Sequence, residues 1–326
     1  MSFTTTILEW FKENGRALPW RETRDPYAIW LSEIILQQTR IEQGRPYWER
    51  FMKRWPTVEA LAHATEDEVL REWQGLGYYS RARNLHTAAQ QIVERGGFPT
   101  TLEGIKALKG VGDYTAAAIG SIAFNLPAAV VDGNVYRVLA RHYDIETPIN
   151  TIEGKKEFTQ LAQSLLPPQE VSAFNQAMMD FGAIQCTPVS PRCEQCPLAE
   201  SCVALREGRI DILPVKQKTL KVKERQLTYI YIRCNGYTAL HRRPAGDIWQ
   251  GLYEPWLTDQ VPQGAVLQRQ RVKHVLTHRI LYADFWLWET EERPQLPDDY
   301  FWIKEEEVGN YGVPRLIEIF LESLNT

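Results

Sequence analysis

LKGVGDYTAAAIGSIAF (residues 108–124) places two glycines in a tight turn directly before an alanine-rich stretch with helical spacing. Gly110 and Gly112 permit backbone angles that are closed to other residues, and they let backbone N–H groups approach a ligand closely. The N-terminus of the following helix adds a field that favours an anion such as a phosphate. An ordinary turn between two helices is the alternative, and two glycines alone do not exclude it.

The sequence on both sides of this turn is mostly helical. Apolar residues recur at helical spacing in 5–14, 27–41, 58–63, 66–74, 81–95, 114–124, 134–143, 155–165 and 170–184. After Pro214 the pattern changes, and 227–234, 238–244 and 284–289 predict strands, with a closing helix at 313–325. We therefore predict a helical domain at 1–208, a basic connector at 209–225 and a smaller α+β domain at 226–326.

Length and charge narrow the possible classes of protein. The chain has 326 residues, which fits two domains, and a net charge of −4 that does not by itself indicate a nucleic-acid partner. The connector nevertheless carries six basic residues against two acidic ones, and local basic surface is what binds phosphates. A solvated linker is the commoner explanation of such a run. We find no signal-peptide pattern and no apolar run of bilayer length, so we expect a cytoplasmic protein without membrane contact.

Four of the five cysteines form a compact group with the spacing C-x6-C-x2-C-x5-C: Cys186, Cys193, Cys196 and Cys202. In a cytosolic chain this indicates a metal centre rather than disulfides, which the redox poise disfavours. Zinc sites usually pair two short knuckles across a longer spacer, whereas three ligands crowded in one loop favour a 4Fe–4S cluster. Four thiolates leave no open ligand position, so we expect a structural cluster. Cys234 stands apart on a predicted strand, as a packed and inert thiol.

Two acidic residues lie in contrasting surroundings. Glu33 shares a helical face with Ile29 and Trp30, so burial should raise its pKa and make it a proton donor. Asp132 lies just before a helix capped by Asn134, where the helix field favours an ionised carboxylate. The common alternatives are an exposed glutamate and a simple capping aspartate. One protonated and one ionised carboxylate is the arrangement that glycosidic-bond cleavage needs.

Several segments together resemble the endonuclease III superfamily of helix–hairpin–helix DNA glycosylases, and within it the adenine glycosylases of the MutY type. They are LPWR (18–21), SEIILQQT (32–39), GLGYYSRARNLH (75–86), LKGVGDYTA (108–116), VDGNVYRV (131–138), AFNQAMMDFGA (173–183) and the four cysteines. The resemblance covers nearly all of the helical domain. It implies a mostly α glycosylase domain with a 4Fe–4S cluster loop, acting as a monomer on double-stranded DNA that carries adenine opposite 8-oxoguanine or guanine.

The resemblance also implies roles for individual residues. Glu33 would protonate the departing adenine, Asp132 would stabilise or bond to the oxocarbenium centre, Asn134 would orient the site and Tyr114 would contact the reaction centre. A base is reached only after it leaves the stack, so the remaining roles are pocket lining, wedging into the duplex and phosphate contact. The residues that would line the pocket are Trp20, Arg21 and Gln176. Those that would wedge into the duplex are Gln38, Leu76 and Tyr78, and those that would contact a phosphate are Lys109, Gly110 and Gly112.

One departure from the superfamily pattern bears on the reaction. Bifunctional relatives carry a Schiff-base lysine two residues after the second glycine of the turn, and Tyr114 stands there in this chain. We therefore expect hydrolysis without efficient strand cleavage. A pyrimidine-directed glycosylase with lyase activity remains one alternative, and a non-catalytic DNA-binding protein whose cluster senses redox state remains another.

The last hundred residues resemble the Nudix-like domain of the same family, which implies recognition of 8-oxoguanine. GLYEPW (251–256) matches a strand segment there, and HVLTHRI (274–280) matches the loop that contacts the oxidised base, at Thr277 and His278. Leu276 stands where an aromatic residue is common and Thr277 where serine is common, although threonine keeps the hydroxyl donor. A histidine with a purely structural role is the alternative for His278. The acidic helix of catalytic Nudix hydrolases is missing after Gly251, so we expect no pyrophosphatase activity.

Overall fold

A computed structural model describes residues 1–217 and 222–324 of the chain. Two basic residues of the predicted connector, Lys218 and Lys221, lie outside the described residues. The first two hundred residues are helical, as predicted: α1 Phe3–Asn14, α2 Pro26–Leu36, α3 Ile41–Arg54, α4 Val58–His63, α5 Glu66–Glu72, α6 Ser80–Glu94, α7 Leu102–Lys106, α8 Asp113–Phe124, α9 Gly133–Tyr143, α10 Ile152–Leu165, α11 Val171–Asp180 and α12 Val203–Arg206.

The C-terminal part of the chain forms two antiparallel-rich sheets and one helix. Its strands are β1 Lys223–Arg233, β2 Tyr237–Arg242, β3 Tyr253–Glu254, β4 Trp256–Leu257, β5 Val266–Val275, β6 Arg279–Glu289 and β7 Tyr300–Lys304, and α13 spans Arg315–Leu324. One sheet has the order β4-β1-β6-β5 and the other β3-β2-β7. β1 and β6 pair in parallel, and the remaining pairs are antiparallel.

The chain separates into two compact units. The first holds Met1–Gln38, Thr57–Glu59 and the chain from Ala88 to the first gap, and the second holds Thr39–Pro56, Ala60–Thr87 and the described chain after that gap. In the first unit, the core packs α1, α9, α10 and α11 around buried residues such as Ile7, Leu139 and Phe158. In the second, Tyr229, Phe285 and Phe320 form a stacked aromatic core.

Several elements differ from the sequence prediction, which also lacked the short elements α7, α12, β3, β4 and β7. The helix predicted at 27–41 ends at Leu36, because Gln37 leaves helical geometry and Gln38 has a φ of +56°. α3 was missing from the prediction because Pro46 and many charged residues obscure its apolar face. β5 was missing because nearly all of its residues are exposed, so it lacks an alternating pattern. For α3 and β5, local composition conceals an element that tertiary contacts stabilise.

The helices were compared with the length and apolar character of membrane-spanning segments. Within the described ranges, none of them has both the length and the apolar character needed to cross a bilayer.

Candidate active site

Glu33 and Tyr114 come together from α2 and α8. The Tyr114 hydroxyl donates a hydrogen bond to Glu33 Oε2 (3.0 Å) and also lies 3.9 Å from the Met179 sulfur. The pKa of Glu33 is raised to about 7, because burial and the nearby Asp132 raise it more than the Tyr114 hydrogen bond and Arg21 lower it. Glu33 is therefore a carboxyl group that is partly protonated at neutral pH, which is the state that a general acid needs.

Asp132, and not Asn134 as the sequence suggested, caps the first turn of α9, because the backbone is extended at Asp132 and Asn134 already lies within the helix. Its Oδ1 accepts from the backbone N–H groups of Asn134 (2.9 Å) and Val135 (2.8 Å), and its Oδ2 accepts from the Asn134 side-chain amide (2.7 Å). Burial raises the pKa of Asp132, whereas these N–H donors and Arg137 lower it. The sequence suggested only the stabilising influence of the helix, so the net upward shift is a difference caused by burial. Three N–H donors nevertheless stabilise this carboxylate far better than Glu33, which accepts one hydroxyl.

The predicted pocket residues include one arginine with a fixed position. Both oxygens of Asp180, which is fully buried, accept hydrogen bonds from Arg21 (2.8 Å each), and Arg16 pairs with the same carboxylate. Trp20 is buried, and the Gln176 amide donates to Ser172 Oγ (3.0 Å). The bidentate contact holds Arg21 where its charge influences Glu33.

Arg137 connects the first turn of α9 to the cysteine loop. Its guanidinium group donates to Asn134 Oδ1 (2.8 Å), to the Gly182 carbonyl (2.6 Å) and to the Cys186 carbonyl (2.7 Å). Arg141, one turn further on, donates to Cys186 Sγ (3.5 Å) and to the Thr187 carbonyl (2.8 Å). The helix that carries Asp132 is thus anchored to the segment that begins the cysteine cluster.

The four clustered cysteines suit an iron–sulfur cofactor. All four are half-buried free thiols, and Cys186, Cys196 and Cys202 pack against the helical core. In the described parts of the chain, no three Cys, His, Asp or Glu side chains converge closely enough to hold a single metal ion. Four half-buried thiols with an arginine N–H on one sulfur fit a polynuclear cluster, whose ligands would be these cysteines.

The glycine turn has the predicted shape with one correction. Gly110 has a φ of +78°, which requires glycine, but Gly112 has a φ of −96°, which any residue adopts. A Cβ on Gly112 would meet no described heavy atom within 4 Å. The absence of a side chain at Gly112 therefore leaves open space above the turn. No described side chain caps the α8 N-terminus, and Lys109 is exposed beside it. Backbone N–H groups at this end are therefore available to an anion.

The predicted wedge and lesion-contact residues differ in exposure. Tyr78 is 48 % exposed with a φ of +47°, whereas Leu76 is buried, and Gln38 is exposed at the end of α2. Thr277 and His278 are exposed in the turn between β5 and β6. The Tyr78 hydroxyl and Thr277 Oγ1 lie 2.6 Å apart, so a predicted wedge residue and a predicted lesion contact share a hydrogen bond within the second unit.

Part of the basic connector is engaged in ion pairs. Arg209 pairs with Asp144 (2.8 Å) and Glu146, and Arg225 pairs with Asp247. These two arginines therefore have structural partners within their own units.

Sequence reasoning missed three residues that shape the site: Asp180, Met179 and Arg137. Asp180 was within reach, because a carboxylate inside the apolar segment AFNQAMMDFGA has to find a cationic partner. Arg137 lies one turn after Gly133 on a buried face, where an arginine must likewise be paired. No pattern in the sequence marks the Met179 sulfur as a neighbour of Tyr114.

Comparison with known proteins places this arrangement in a class. Residues 31–168 match the model of the HhH-GPD superfamily of base excision DNA repair proteins, residues 186–202 match the iron–sulfur binding domain of endonuclease III, and residues 228–323 match the NUDIX domain. A thermostable thymine-DNA glycosylase superposes with a TM-score of 0.58 at 32% identity, over 63% of this chain and 95% of that one. A trapped endonuclease III–DNA intermediate (TM-score 0.55, 23% identity, 64% and 99% covered) shares the fold.

The fold and the site define a helix–hairpin–helix DNA-repair glycosylase that carries a 4Fe–4S cluster and a Nudix-like C-terminal domain. An adenine DNA glycosylase of Buchnera aphidicola (subspecies Acyrthosiphon pisum) is 35% identical over 254 residues, covering 77% of this chain and 73% of the relative. The human adenine DNA glycosylase is 42% identical over 214 residues, covering 62% and 39%. The chain belongs to the adenine DNA glycosylase family, which confirms the predicted fold class, enzyme class and cofactor.

Proposed function

We propose that this enzyme removes adenine paired with 8-oxoguanine or guanine from double-stranded DNA, by hydrolysis of the N-glycosidic bond. The observation that carries the proposal is the contrast between two neighbouring carboxyl groups. Glu33 has a pKa of about 7 and one hydroxyl donor, whereas Asp132 accepts three N–H groups. A proton donor beside a stabilised anion is the pair that departure of a base and formation of a sugar cation require.

Each step then has a residue to perform it. Glu33 donates its proton to a ring nitrogen of the extruded adenine, and the electrons of the C1′–N bond leave with the base. Asp132 stabilises the resulting oxocarbenium ion, with Asn134 holding the carboxylate in place. Glu33, now ionised, takes a proton from the water that attacks C1′. The Tyr114 hydroxyl donates a hydrogen bond to Glu33. Because this side chain carries no amine, the route forms no Schiff base.

The remaining residues serve binding. Trp20, Arg21 and Gln176 line the pocket for the extruded adenine, and the exposed Gln38 and Tyr78 fill the gap in the duplex. Leu76 is buried, so we do not retain it as a wedge. The α8 N-terminus, with Lys109, Gly110 and Gly112, binds a backbone phosphate of the DNA. Affinity should then fall steeply with added salt, because each neutralised phosphate releases counterions.

The C-terminal domain selects the base opposite adenine. Thr277 and His278 are exposed at the β5–β6 turn, and the Thr277 hydroxyl already lies beside Tyr78. A hydroxyl and an imidazole offer the donors and acceptors that distinguish 8-oxoguanine from guanine. We retain the division into a catalytic domain at 1–208, a connector at 209–225 and a recognition domain at 226–326, working as one monomer.

The test is single-turnover release of adenine from a duplex with adenine opposite 8-oxoguanine. Wild type should release adenine, and Glu33→Gln should lose at least about 100-fold in rate because it cannot donate the proton. Glu9→Gln, an exposed glutamate on α1, is the matched control and should match wild type. Absorbance of the cluster and thermal unfolding verify that each variant is loaded and folded. A cluster-loaded wild type that releases no adenine would refute the substrate assignment.

A further inference from the structure

One carboxylate and three arginines form a compact group in the second unit. Asp247 Oδ1 accepts a hydrogen bond from Arg279 (2.9 Å), and Oδ2 accepts from Arg243 (2.8 Å) and from Arg225. We call these four residues the Asp247 cluster. Partial burial opposes ionisation of Asp247, but the hydrogen bonds from Arg225, from the Ile248 N–H and from Arg279 lower its pKa to about 2. The carboxylate is therefore charged throughout the neutral range.

The Asp247 cluster is anchored in the core of its domain. Arg243 is 4% exposed, and it pairs with Glu254, which is 2% exposed. Glu254 also accepts a hydrogen bond from the Tyr229 hydroxyl (2.9 Å), and Arg243 Nε donates to the Ile248 carbonyl (2.9 Å). A carboxylate attached to such a buried pair has little freedom to move, because leaving it would cost the buried Arg243 one of its two carboxylate partners.

The other two arginines of the cluster lead to the turn at residues 276–279, which we call the recognition turn. The Leu276 N–H donates to the Arg279 carbonyl (2.8 Å), closing the turn, and the Lys223 N–H donates to the His278 carbonyl (3.1 Å). Arg279 begins β6 and is the register partner of Lys223 on β1, while Arg225 lies two residues further along β1. Asp247 thus joins the side chains of the two strands at the point where the recognition turn leaves the sheet.

We propose that Asp247 is a positioning residue for selection of the base opposite adenine. By binding Arg225 and Arg279 at once, it fixes the recognition turn and therefore the direction in which Thr277 and His278 point. The proposal rests on the proposed function, in which this turn contacts the opposite base. An exposed turn discriminates between two similar bases only if contacts behind it prevent it from adapting to both.

The experiment compares single-turnover rates of adenine release opposite 8-oxoguanine and opposite guanine in the full-length, cluster-loaded enzyme. Asp247→Asn keeps the size of the side chain and removes its charge. The ratio of the two rates should fall by about tenfold, the effect expected when a charge-assisted hydrogen bond is lost. The rate opposite guanine should stay within about twofold of wild type, because the catalytic carboxyl groups are untouched.

The matched control is Glu305→Gln, since the Arg233–Glu305 pair (35% and 25% exposed) is as exposed as the Arg279–Asp247 pair (39% and 27%) and lies in the same unit. It should leave the ratio unchanged. Arg279→Gln, which leaves Asp247 paired with two arginines, should lower the ratio similarly, and adding Asp247→Asn to it should lower the ratio little further. That non-additivity would show that Asp247 acts through Arg279, and Arg279→Gln keeps the test available if Asp247→Asn does not fold.

Thr277→Ala distinguishes failure of the positioning role of Asp247 from failure of the recognition role of the turn. If Thr277→Ala lowers the ratio but Asp247→Asn and Arg279→Gln do not, the positioning role is wrong and the proposed role of the turn survives. An equal fall of the ratio in Glu305→Gln would also overturn the positioning role, because it would show a general destabilisation of the domain. If Thr277→Ala leaves the ratio unchanged while adenine is still released, the recognition role of the turn fails, and the positioning role fails with it.

Discussion

At the scale of single residues, the proposed chemistry depends on how two carboxyl groups are solvated and paired. Glu33 is displaced from its ordinary pKa mainly by burial, and the hydroxyl of Tyr114 partly opposes that displacement. Asp132 experiences burial too, but its three N–H donors stabilise the anion. The protonation of each group is therefore set by its neighbours and not by its chemical type alone.

The first prediction concerns the pH dependence of adenine release. Because protonated Glu33 is the active form, the rate should fall as pH rises through about 7. Tyr114→Phe removes the hydrogen bond that lowers the Glu33 pKa, so the falling limb should move to higher pH. The measurement is the single-turnover rate across pH 5–9. Tyr136→Phe, whose ring packs on Phe158, is the control and should leave the limb in place. A limb that moves to lower pH in Tyr114→Phe would contradict the role of this hydrogen bond.

At the scale of elements, the glycine turn before α8 separates two uses of glycine. Gly110 needs its positive φ, so Gly110→Ala should destabilise the protein by about 1–2 kcal/mol. Gly112→Ala should change the unfolding free energy by less than about 0.5 kcal/mol but weaken DNA binding, because its Cβ enters the space above the turn. Urea unfolding and the dissociation constant for duplex DNA check both halves. Full DNA affinity in Gly112→Ala would show that no phosphate approaches there.

A second element-scale prediction concerns contact between α9 and the helical turn after α11. A Cβ on Gly182 would lie 2.5 Å from the Cβ of Asn134 and 2.8 Å from its carbonyl oxygen. Gly182→Ala should therefore displace the first turn of α9 and the Asp132 cap, costing about 1–3 kcal/mol of stability and reducing the rate of adenine release. Gly309→Ala, where a Cβ meets no described atom within 4 Å, serves as control. Unchanged kinetics in Gly182→Ala would mean that α9 adjusts without moving Asp132.

At the scale of the whole molecule, the cysteine loop supports α9 through Arg137 and Arg141. Cys196→Ala should lose the visible absorbance of the cluster and lower the thermal midpoint by several degrees, because the folding free energy supplied by metal binding is lost. Cys234→Ala, a buried thiol on the C-terminal β1–β2 connection, should keep the absorbance. The absorption spectrum and a thermal melt test the pair, and a Cys196→Ala protein with intact absorbance would remove Cys196 from the ligand set.

Features that depend on local spacing could be predicted from the amino-acid sequence. These include the spacing of the four clustered cysteines, the glycine turn before α8, tyrosine at the lysine position and the change from helices to strands after Pro214. Each is encoded by residues that lie close together in the sequence, where residue type and spacing determine the local geometry. The break after Leu36 and the exposed strand β5 were not readable, because their local patterns conflict with or hide the structure.

Properties that arise between distant segments could be seen only in the folded chain. The pairing of Arg21 with Asp180 joins residues 159 positions apart, and the Tyr114–Glu33 hydrogen bond spans 81. The Asp247 cluster likewise assembles three arginines from two strands and a loop. The pKa of a carboxyl group depends on which charged and polar groups are buried next to it. The position of a guanidinium group and the rigidity of a turn depend on the same buried neighbours. That proximity is a result of packing the chain, and no interval in the sequence expresses it.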